Sequence, residues 1–321
     1  MAVGFIGLGN VGRHLARSVL RGGHDLVVHD LDEAAAAELV ADGARWAPSI
    51  AAVCDEASTV ITCLPSPQVI DAVVAGPAGV IESLAGQSGA CWIDSSTNDR
   101  SETLRLAALA ADRGVATLEA PVTGGVHMAA RGEITVLVGG EAELVERQRG
   151  LLDSLGDPVL HIGGLGAAAT IKVITNMLAL THLVAAGEAL MLAKRSDLDL
   201  ATAFEAIRNS SGNSFVHETE SQVILNGSRD INFTMDLVVK DISLFQAVAD
   251  RAGVPLEMNP LMIEIFQDGV ERYGPREWSP NIIRRLEDET GLEILAPGFP
   301  AEMTDDEPEA PGYEVIPTGR S

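Results

Sequence analysis

Short apolar runs at residues 3–6, 26–29, 59–64, 90–93 and 115–118 punctuate the first half of the chain, and each reads as a β-strand. Between them, residues 11–21, 33–42, 68–74 and 101–113 carry apolar positions at helical spacing. A strand at 134–138, a helix at 141–152 and a strand at 159–162 extend the alternation. Strand–helix alternation of this kind predicts an α/β fold: a Rossmann-type doubly wound parallel sheet with helices on both faces.

Gly163-Gly164 opens a different texture. From Ala167 to Arg195 apolar residues recur at helical spacing with no strong breaker, which predicts one helix of roughly 40 Å at 1.5 Å per residue. Further helical patterns cover 200–209, 235–252 and 255–269, so the second half reads as all-α. The expected organisation is a sheet domain over 1–163, an all-helical domain over 164–286 that begins with the long interdomain helix, and a tail over 287–321. Residues 171–192 are apolar nearly all round the helix, and such a surface calls for a partner; a homodimer or homotetramer is expected.

Residues 287–319 hold ten acidic residues, five prolines and no Lys or Arg. Free tails have this composition. Yet Ile294, Leu295, Phe299, Tyr313, Val315 and Ile316 are apolar enough to dock, so a free tail and an arm packed on the body or a neighbouring subunit both stay open.

Charge and composition narrow the function. The net charge of -24 repels a phosphate backbone and an anionic membrane surface, and argues against nucleic acid as a partner. No continuous apolar run reaches the roughly 20 residues of a membrane helix. Met1-Ala2-Val3-Gly4 leads straight into a strand without the basic start of a signal peptide, so a cytoplasmic location is expected. Cys54, Cys63 and Cys91 are too scattered for a disulfide framework and read as buried thiols; the histidines and carboxylates lack metal-ligand spacing, so no metal is expected.

Gly7-Leu8-Gly9-Asn10-Val11-Gly12 is a GxGxxG that follows a strand and opens a helix. The first glycine permits the tight turn, the second admits a pyrophosphate to the backbone, and the third allows close helix–strand packing. The next strand ends at His29-Asp30, 18 residues past Gly12. A carboxylate there accepts hydrogen bonds from ribose hydroxyls and repels a 2′-phosphate, which predicts NAD rather than NADP. Asp30 can also be read as a turn or capping aspartate, although Asp32 is better placed to cap the following helix.

With that motif in place, the sequence resembles the 3-hydroxyisobutyrate dehydrogenase, or β-hydroxyacid dehydrogenase, family over about residues 3–273. Phe5 to Gly12, Leu64-Pro65, Asp94-Ser95-Ser96-Thr97, Ala120-Pro121-Val122-Thr123-Gly124-Gly125, Lys172-Val173-Ile174-Thr175-Asn176 and Lys240-Asp241 carry the likeness in order. The resemblance implies an NAD-dependent dehydrogenase that oxidises a small anionic 3-hydroxy acid to its semialdehyde or oxo acid, reversibly. It implies Lys172 as the catalytic lysine, Asn176 as a substrate ligand and Thr123, Gly124 and Gly125 as the holder of the substrate carboxylate. Thr97 and Lys240 would lie near the nicotinamide, Leu64 and Pro65 under the adenosine side, and Asp241 would support Lys240. Three positions depart from the family's pattern: Thr123 stands where Ser is usual, Ala168 replaces a glycine, and Thr175 replaces the first of two asparagines. The segment after Glu271, including Trp278 and the acidic tail, matches nothing in the family's better-known dehydrogenases.

Read from the residues themselves, Lys172 and Asn176 are one helical turn apart and face one spot. A lysine serves as acid or base near neutral pH when burial and neighbouring cations such as Lys240 lower its pKa. Thr123-Gly124-Gly125 offers a hydroxyl and clustered backbone N–H groups to an anion. The bland readings are a solvated Lys172 and a surface Lys240–Asp241 pair. His127, His161, His182 and His217 read as structural or solvated, with His127 near enough to the loop to reach substrate. Residues 210–214 read as an interhelix turn with an N-cap, or as pocket lining. Imine or semialdehyde reduction on the same fold and a non-catalytic NAD-binding scaffold are the alternative functions.

Overall fold

A computed structural model describes residues 2–303. Among the described residues nine strands occur: β1 (Ala2–Ile6), β2 (Leu26–His29), β3 (Arg45–Trp46), β4 (Ala57–Thr62), β5 (Cys91–Asp94), β6 (Ala116–Glu119), β7 (Val122–Thr123), β8 (Thr135–Gly139) and β9 (Val159–Gly163). They form one sheet in the order β3-β2-β1-β4-β5-β6-β8-β7, with β9 also paired to β8. The pairs from β3 through β6 are parallel. β6 and β7 both pair antiparallel with β8, in a register that runs on through both (Glu119 opposite Gly139, Thr123 opposite Thr135).

Alternation along the strands explains the two-sided core. Val3, Phe5, Val28, Ile61 and Ile93 pack on one face of the sheet. Ala2, Ile6, Val27, Val60 and Trp92 pack on the other. Successive side chains of a strand point to opposite faces, so a sheet covered on both sides must be apolar at every position. β1 meets that demand with all five residues buried. The order places β1 between β2 and β4, where the winding reverses, and ligands of open α/β sheets bind at the carboxyl ends of strands at such a point.

Beyond β9 the chain is helical, beginning with the helix Ala167–Arg195. Its Leu180, Leu183, Leu190 and Met191 join Val238, Ile242, Met262, Phe266 and Ile283 in a third core. By length and composition only, this helix is long and apolar enough to cross a bilayer, because its Ala, Leu, Ile, Val and Met keep it apolar on average although polar residues interrupt every run. Burial of one face in the helical core accounts for part of that composition. The other face carries Leu178, His182, Ala185, Ala189 and Leu192 in steps of four and three residues, all exposed, with Leu178 50% and Leu192 68% accessible.

Several elements depart from the sequence reading. Residues 33–41 form a 3-10 turn (Glu33–Ala36) followed by a short helix (Ala37–Ala41). The pattern at 141–152 resolves into Ala142–Arg147 and Arg149–Leu155. Helix Ile50–Glu56, capped by Ser49, is too short to show a period. Helix Phe215–Asn226 buries His217, Thr219 and Ser221, and these polar residues mask its apolar face. They are satisfied internally: His217 Nε2 lies 3.0 Å from the Phe204 carbonyl and Ser221 Oγ 3.1 Å from His217 Nδ1. Residues 210–214 form the expected turn, and Ser214 Oγ caps the helix by accepting from His217 N.

Helix Arg284–Thr290 continues across Glu287, and Ile294 beyond it is fully buried. Phe299 meets Phe204 edge-on at 5.1 Å. Tyr313, Val315 and Ile316 lie outside the described residues.

The long helix approaches the turn Ser279–Ile283 through Gly187, where an added Cβ would stand 2.6 Å from Ile283 Cγ1. Ile283 is buried, so the clash has no outlet to solvent. Gly187→Val is expected to cost about 1–3 kcal/mol, as overpacking does, and to lower the thermal midpoint by several degrees. An unchanged midpoint in a calorimetric or circular-dichroism melt would contradict this packing.

Candidate active site

The glycine-rich turn joins the end of β1 to the helix Gly12–Arg21. Gly7 has φ 98°, and a Cβ there would stand 2.3 Å from the Cys63 carbonyl oxygen. At Gly12 it would stand 2.0 Å from the Gly7 carbonyl oxygen. Both glycines are thus required by the protein's own packing. Gly9 is different: a Cβ there would meet nothing within 4 Å, so no protein atom fills the space beside it. The helix that follows has no side-chain cap and no acidic residue in its first turn. An open backbone position beside an uncompensated helix N-terminus fits a pyrophosphate. Leu8 is buried, while Asn10 and Val11 are half-buried, and Asn10 Nδ2 reaches the Asn232 carbonyl of the helical half at 3.4 Å.

Asp30 closes the turn from the neighbouring strand. Its carboxylate accepts from Leu8 N at 2.6 Å and from Asp32 N at 3.0 Å. Asp32 in turn caps the next turn by accepting from Ala34 N. The loop from Asp30 to Glu33 holds three carboxylates and no cation.

At the end of β5 a buried carboxylate organises the next two loops. Asp94 Oδ1 accepts from Thr62 Oγ1 at 3.0 Å and from Ser96 N at 3.1 Å, and Thr62 Oγ1 accepts from Trp92 Nε1 at 2.9 Å. Burial pushes Asp94 up to about 6, opposed by these donors and by Asn98. Ser96 Oγ accepts from Leu64 N at 2.9 Å, tying the Leu64-Pro65 loop to the Ser95–Thr97 turn. Leu64 is half-buried and Pro65 exposed.

The long helix supplies Lys172 and Asn176. Its N-terminus is held from the sheet by Glu119, the last residue of β6, whose carboxylate accepts from Ala168 N at 2.9 Å and Ala169 N at 3.0 Å. The carboxylate fits only because its cross-strand partner is Gly139, where a Cβ would stand 2.1 Å from Glu119 Oε1. An anion at a helix N-terminus is favoured, and burial raises this carboxyl's pKa while the three amides of Ala168, Ala169 and Gly166 lower it.

Lys172, buried at 8% exposure, donates from Nζ to Asn176 Oδ1 at 2.7 Å. Asn176 Nδ2 donates to Asp241 Oδ2 at 2.5 Å, and Asp241 Oδ1 lies 2.8 Å from Lys240 Nζ. The carboxylate accepts only, so Asn176 must turn its NH2 to Asp241 and its oxygen to Lys172. Lys240 reaches Thr97 at 3.4 Å through the backbone carbonyl, not the hydroxyl. Burial pushes the Lys172 ammonium down to about 8; Asp241 opposes that shift and Lys240 adds to it.

Thr123, Gly124 and Gly125 lie where β7 turns into the helix Val126–Arg131, and β7 packs on the long helix. Gly124 and Gly125 have φ of 130° and 96°, values that only glycine adopts freely. His127 stacks on Phe215 at 6.5 Å and covers Gly125. His161 bonds the Gly140 and Gly163 carbonyls away from this region. Burial pushes all three cysteine thiols up to about 12, leaving them unreactive. Among the described residues no cluster of metal-ligating side chains occurs.

The sequence reading missed Glu119, quoted Asp94 without giving it a role, and gave Asp241 half its role. A charged residue closing an apolar strand was the available signal for the first two.

Two family models match the chain: the NAD-binding domain of 6-phosphogluconate dehydrogenase over residues 2–163, and the NAD-binding domain of NADP-dependent 3-hydroxyisobutyrate dehydrogenase over 166–286. The second match runs past Glu271 and Trp278 to residue 286, correcting the expectation for that part of the segment; the half-buried Trp278 is bridged to Thr234. The 2-(hydroxymethyl)glutarate dehydrogenase of Eubacterium barkeri is 32% identical, covering 91% of this chain and 97% of its own. A 3-hydroxyisobutyrate dehydrogenase of Pseudomonas aeruginosa is 36% identical over 79% of this chain and 88% of its own. A solved 3-hydroxyisobutyrate dehydrogenase from Salmonella typhimurium superposes with TM-score 0.81 at 28% identity, covering 89% of this chain and 99% of that one. An imine reductase from Myxococcus stipitatus, at 16% identity and TM-score 0.59 over 88% of this chain and 98% of its own, shares the fold alone.

Proposed function

Because the chain belongs to the 3-hydroxyisobutyrate (β-hydroxyacid) dehydrogenase family, and so is an oxidoreductase linked to a nicotinamide dinucleotide, we propose that it oxidises a small 3-hydroxy acid with Lys172 as the acid–base group. The observation that carries this reading is the buried, partnered Lys172 with its pKa lowered to about 8. The dinucleotide, when bound, supplies the hydride acceptor. Gly7 to Gly12, Asp30, Leu64, Pro65, Thr97 and Lys240 would hold it. Thr123, Gly124 and Gly125 receive the substrate carboxylate with a hydroxyl and backbone N–H groups. Asn176 holds Lys172 Nζ by one hydrogen bond, which leaves the lone pair of the neutral amine to take the substrate's hydroxyl proton as hydride leaves the carbon. In the reverse direction the ammonium returns that proton to the carbonyl oxygen.

Lys172 also favours this reading over imine reduction on the same fold, since a protonated imine needs no group to take a hydroxyl proton. For the cofactor, three carboxylates and no cation between Asp30 and Glu33 favour NAD over NADP, because a 2′-phosphate would face like charge. The exposed stripe from Leu178 to Leu192 has the four-and-three spacing of a helix seam, and a second copy of the chain is the partner we assign to it.

Four outcomes are expected. With a panel of 3-hydroxy acids that includes 2-(hydroxymethyl)glutarate, hydroxyisobutyrate and serine, Lys172→Ala loses roughly 10²–10⁴-fold in kcat while still binding the dinucleotide. In the wild type, kcat/KM for oxidation climbs with pH and levels above about 8, where the amine is neutral, and for reduction it falls above the same value. Unchanged turnover in Lys172→Ala would remove the lysine from the mechanism. NAD should exceed NADP in kcat/KM by roughly tenfold or more, for which about 1.4 kcal/mol suffices, with Asp30→Asn narrowing the gap; equal use of both would reject the Asp30 argument. Light scattering at micromolar concentration should give at least twice the mass of one chain, and a monomeric mass would reject the second copy.

A further inference from the structure

The arm that follows helix Arg284–Thr290 runs beyond the last residue matched by either family model. It is fastened at successive points. Ile294 N donates to Glu287 Oε1 at 2.8 Å, and the same carboxylate accepts two bonds from Nη2 of the buried Arg229 guanidinium, each at 2.7 Å. Ala296 N donates to the Leu225 carbonyl at 2.9 Å, Asn226 Nδ2 to the Phe299 carbonyl at 2.8 Å, and Ser228 Oγ to the Ala301 carbonyl at 2.5 Å. Phe299 packs on Phe204. These contacts carry the arm along the end of helix Phe215–Asn226 and deliver Met303 to the substrate loop, where Met303 Cε stands 3.8 Å from the position of a Cβ on Gly125.

We propose that Met303 is a specificity-determining residue: with His127 and Phe215 it walls the Gly125 end of the site, limiting the size of the acid this chain accepts. The inference rests on the placement of substrate at Thr123–Gly125 argued above. Gly125 cannot itself shape that wall. Its φ of 96° disfavours any side chain, and a Cβ would stand 3.0 Å from the His127 ring. Neighbouring side chains must therefore set the limit. His127 is held by stacking on Phe215, and Met303 comes from a segment that neither family match includes. A thioether is unbranched and fills irregular gaps, so it closes the wall without a fixed hydrogen-bond demand.

The test compares full-length wild type and Met303→Ala on the preferred acid and its homologue one methylene longer. One methylene is worth roughly 10–200-fold in a fitted pocket; Met303→Ala should reduce that ratio about tenfold, with the dinucleotide KM and the thermal midpoint unchanged. A chain ending after Met303 should keep the wild-type ratio, which separates the side chain from the residues that follow. Hydrogen exchange of the amides at 124–128, which requires no turnover, should speed up in Met303→Ala. An unchanged ratio, or unchanged exchange, would overturn the proposal. A wild type that turns over no acid, with exchange still faster in the variant, would instead defeat the functional reading while leaving the arm over the loop.

Discussion

One buried lysine sets the terms for the rest of this molecule. An ammonium out of water is costly unless it is partnered or neutral. Here both remedies are partly used. Asn176 accepts one N–H bond from Lys172, while the nearest anion, Asp241, is committed to Asn176 and Lys240 and touches Lys172 only through the amide. The result is a group kept between charged and neutral near physiological pH, which general acid–base chemistry requires. A direct Lys172–Asp241 contact would have fixed the proton on the lysine.

Such a network works only if its members are held in place, and the sheet does much of the holding. Glu119 pins the first turn of the long helix one turn before Lys172, in room that Gly139 leaves. Asp94 does the same for the Ser95–Thr97 turn and, through Ser96, for the loop at Leu64. Two buried carboxylates at adjacent strand ends thus convert the regularity of β5 and β6 into the positions of a helix and two loops. The ion pair of Arg251 with Asp99, at 2.8 Å, adds a tie between the helical half and the sheet half at the surface.

Much of this was legible in the chain. The GxGxxG, Asp30, the long helix and the Lys172–Asn176 spacing are local patterns, each contained within a turn or two, and periodicity exposes them. What escaped depends on distant partners. Glu119 gains its meaning from Gly139 across the sheet and from amides 49 and 50 residues on. Asp241 looked like a prop for Lys240 because its second bond goes to Asn176, 65 residues away. Helix Phe215–Asn226 was hidden by His217, Thr219 and Ser221, which are buried because they satisfy one another and the backbone. The acidic composition after Glu287 suggested a free tail as readily as an arm, and only the position of Ile294 in the core distinguishes them for the described part.

The segments matched to the family and the segment beyond them therefore occupy different places. The glycine-rich turn, the lysine network and the Thr123–Gly125 loop lie within the matched segments, while the arm described up to Met303 does not. The acid–base chemistry proposed for this site depends on the state of Lys172, and the most direct measurement is its titration by NMR in lysine-labelled protein, assigned with Lys172→Arg. The structure predicts a pKa of about 8 and a lower one in Asp241→Asn, where the opposing charge is gone. A Lys172 that titrates near 10.5, indifferent to Asp241, would contradict it.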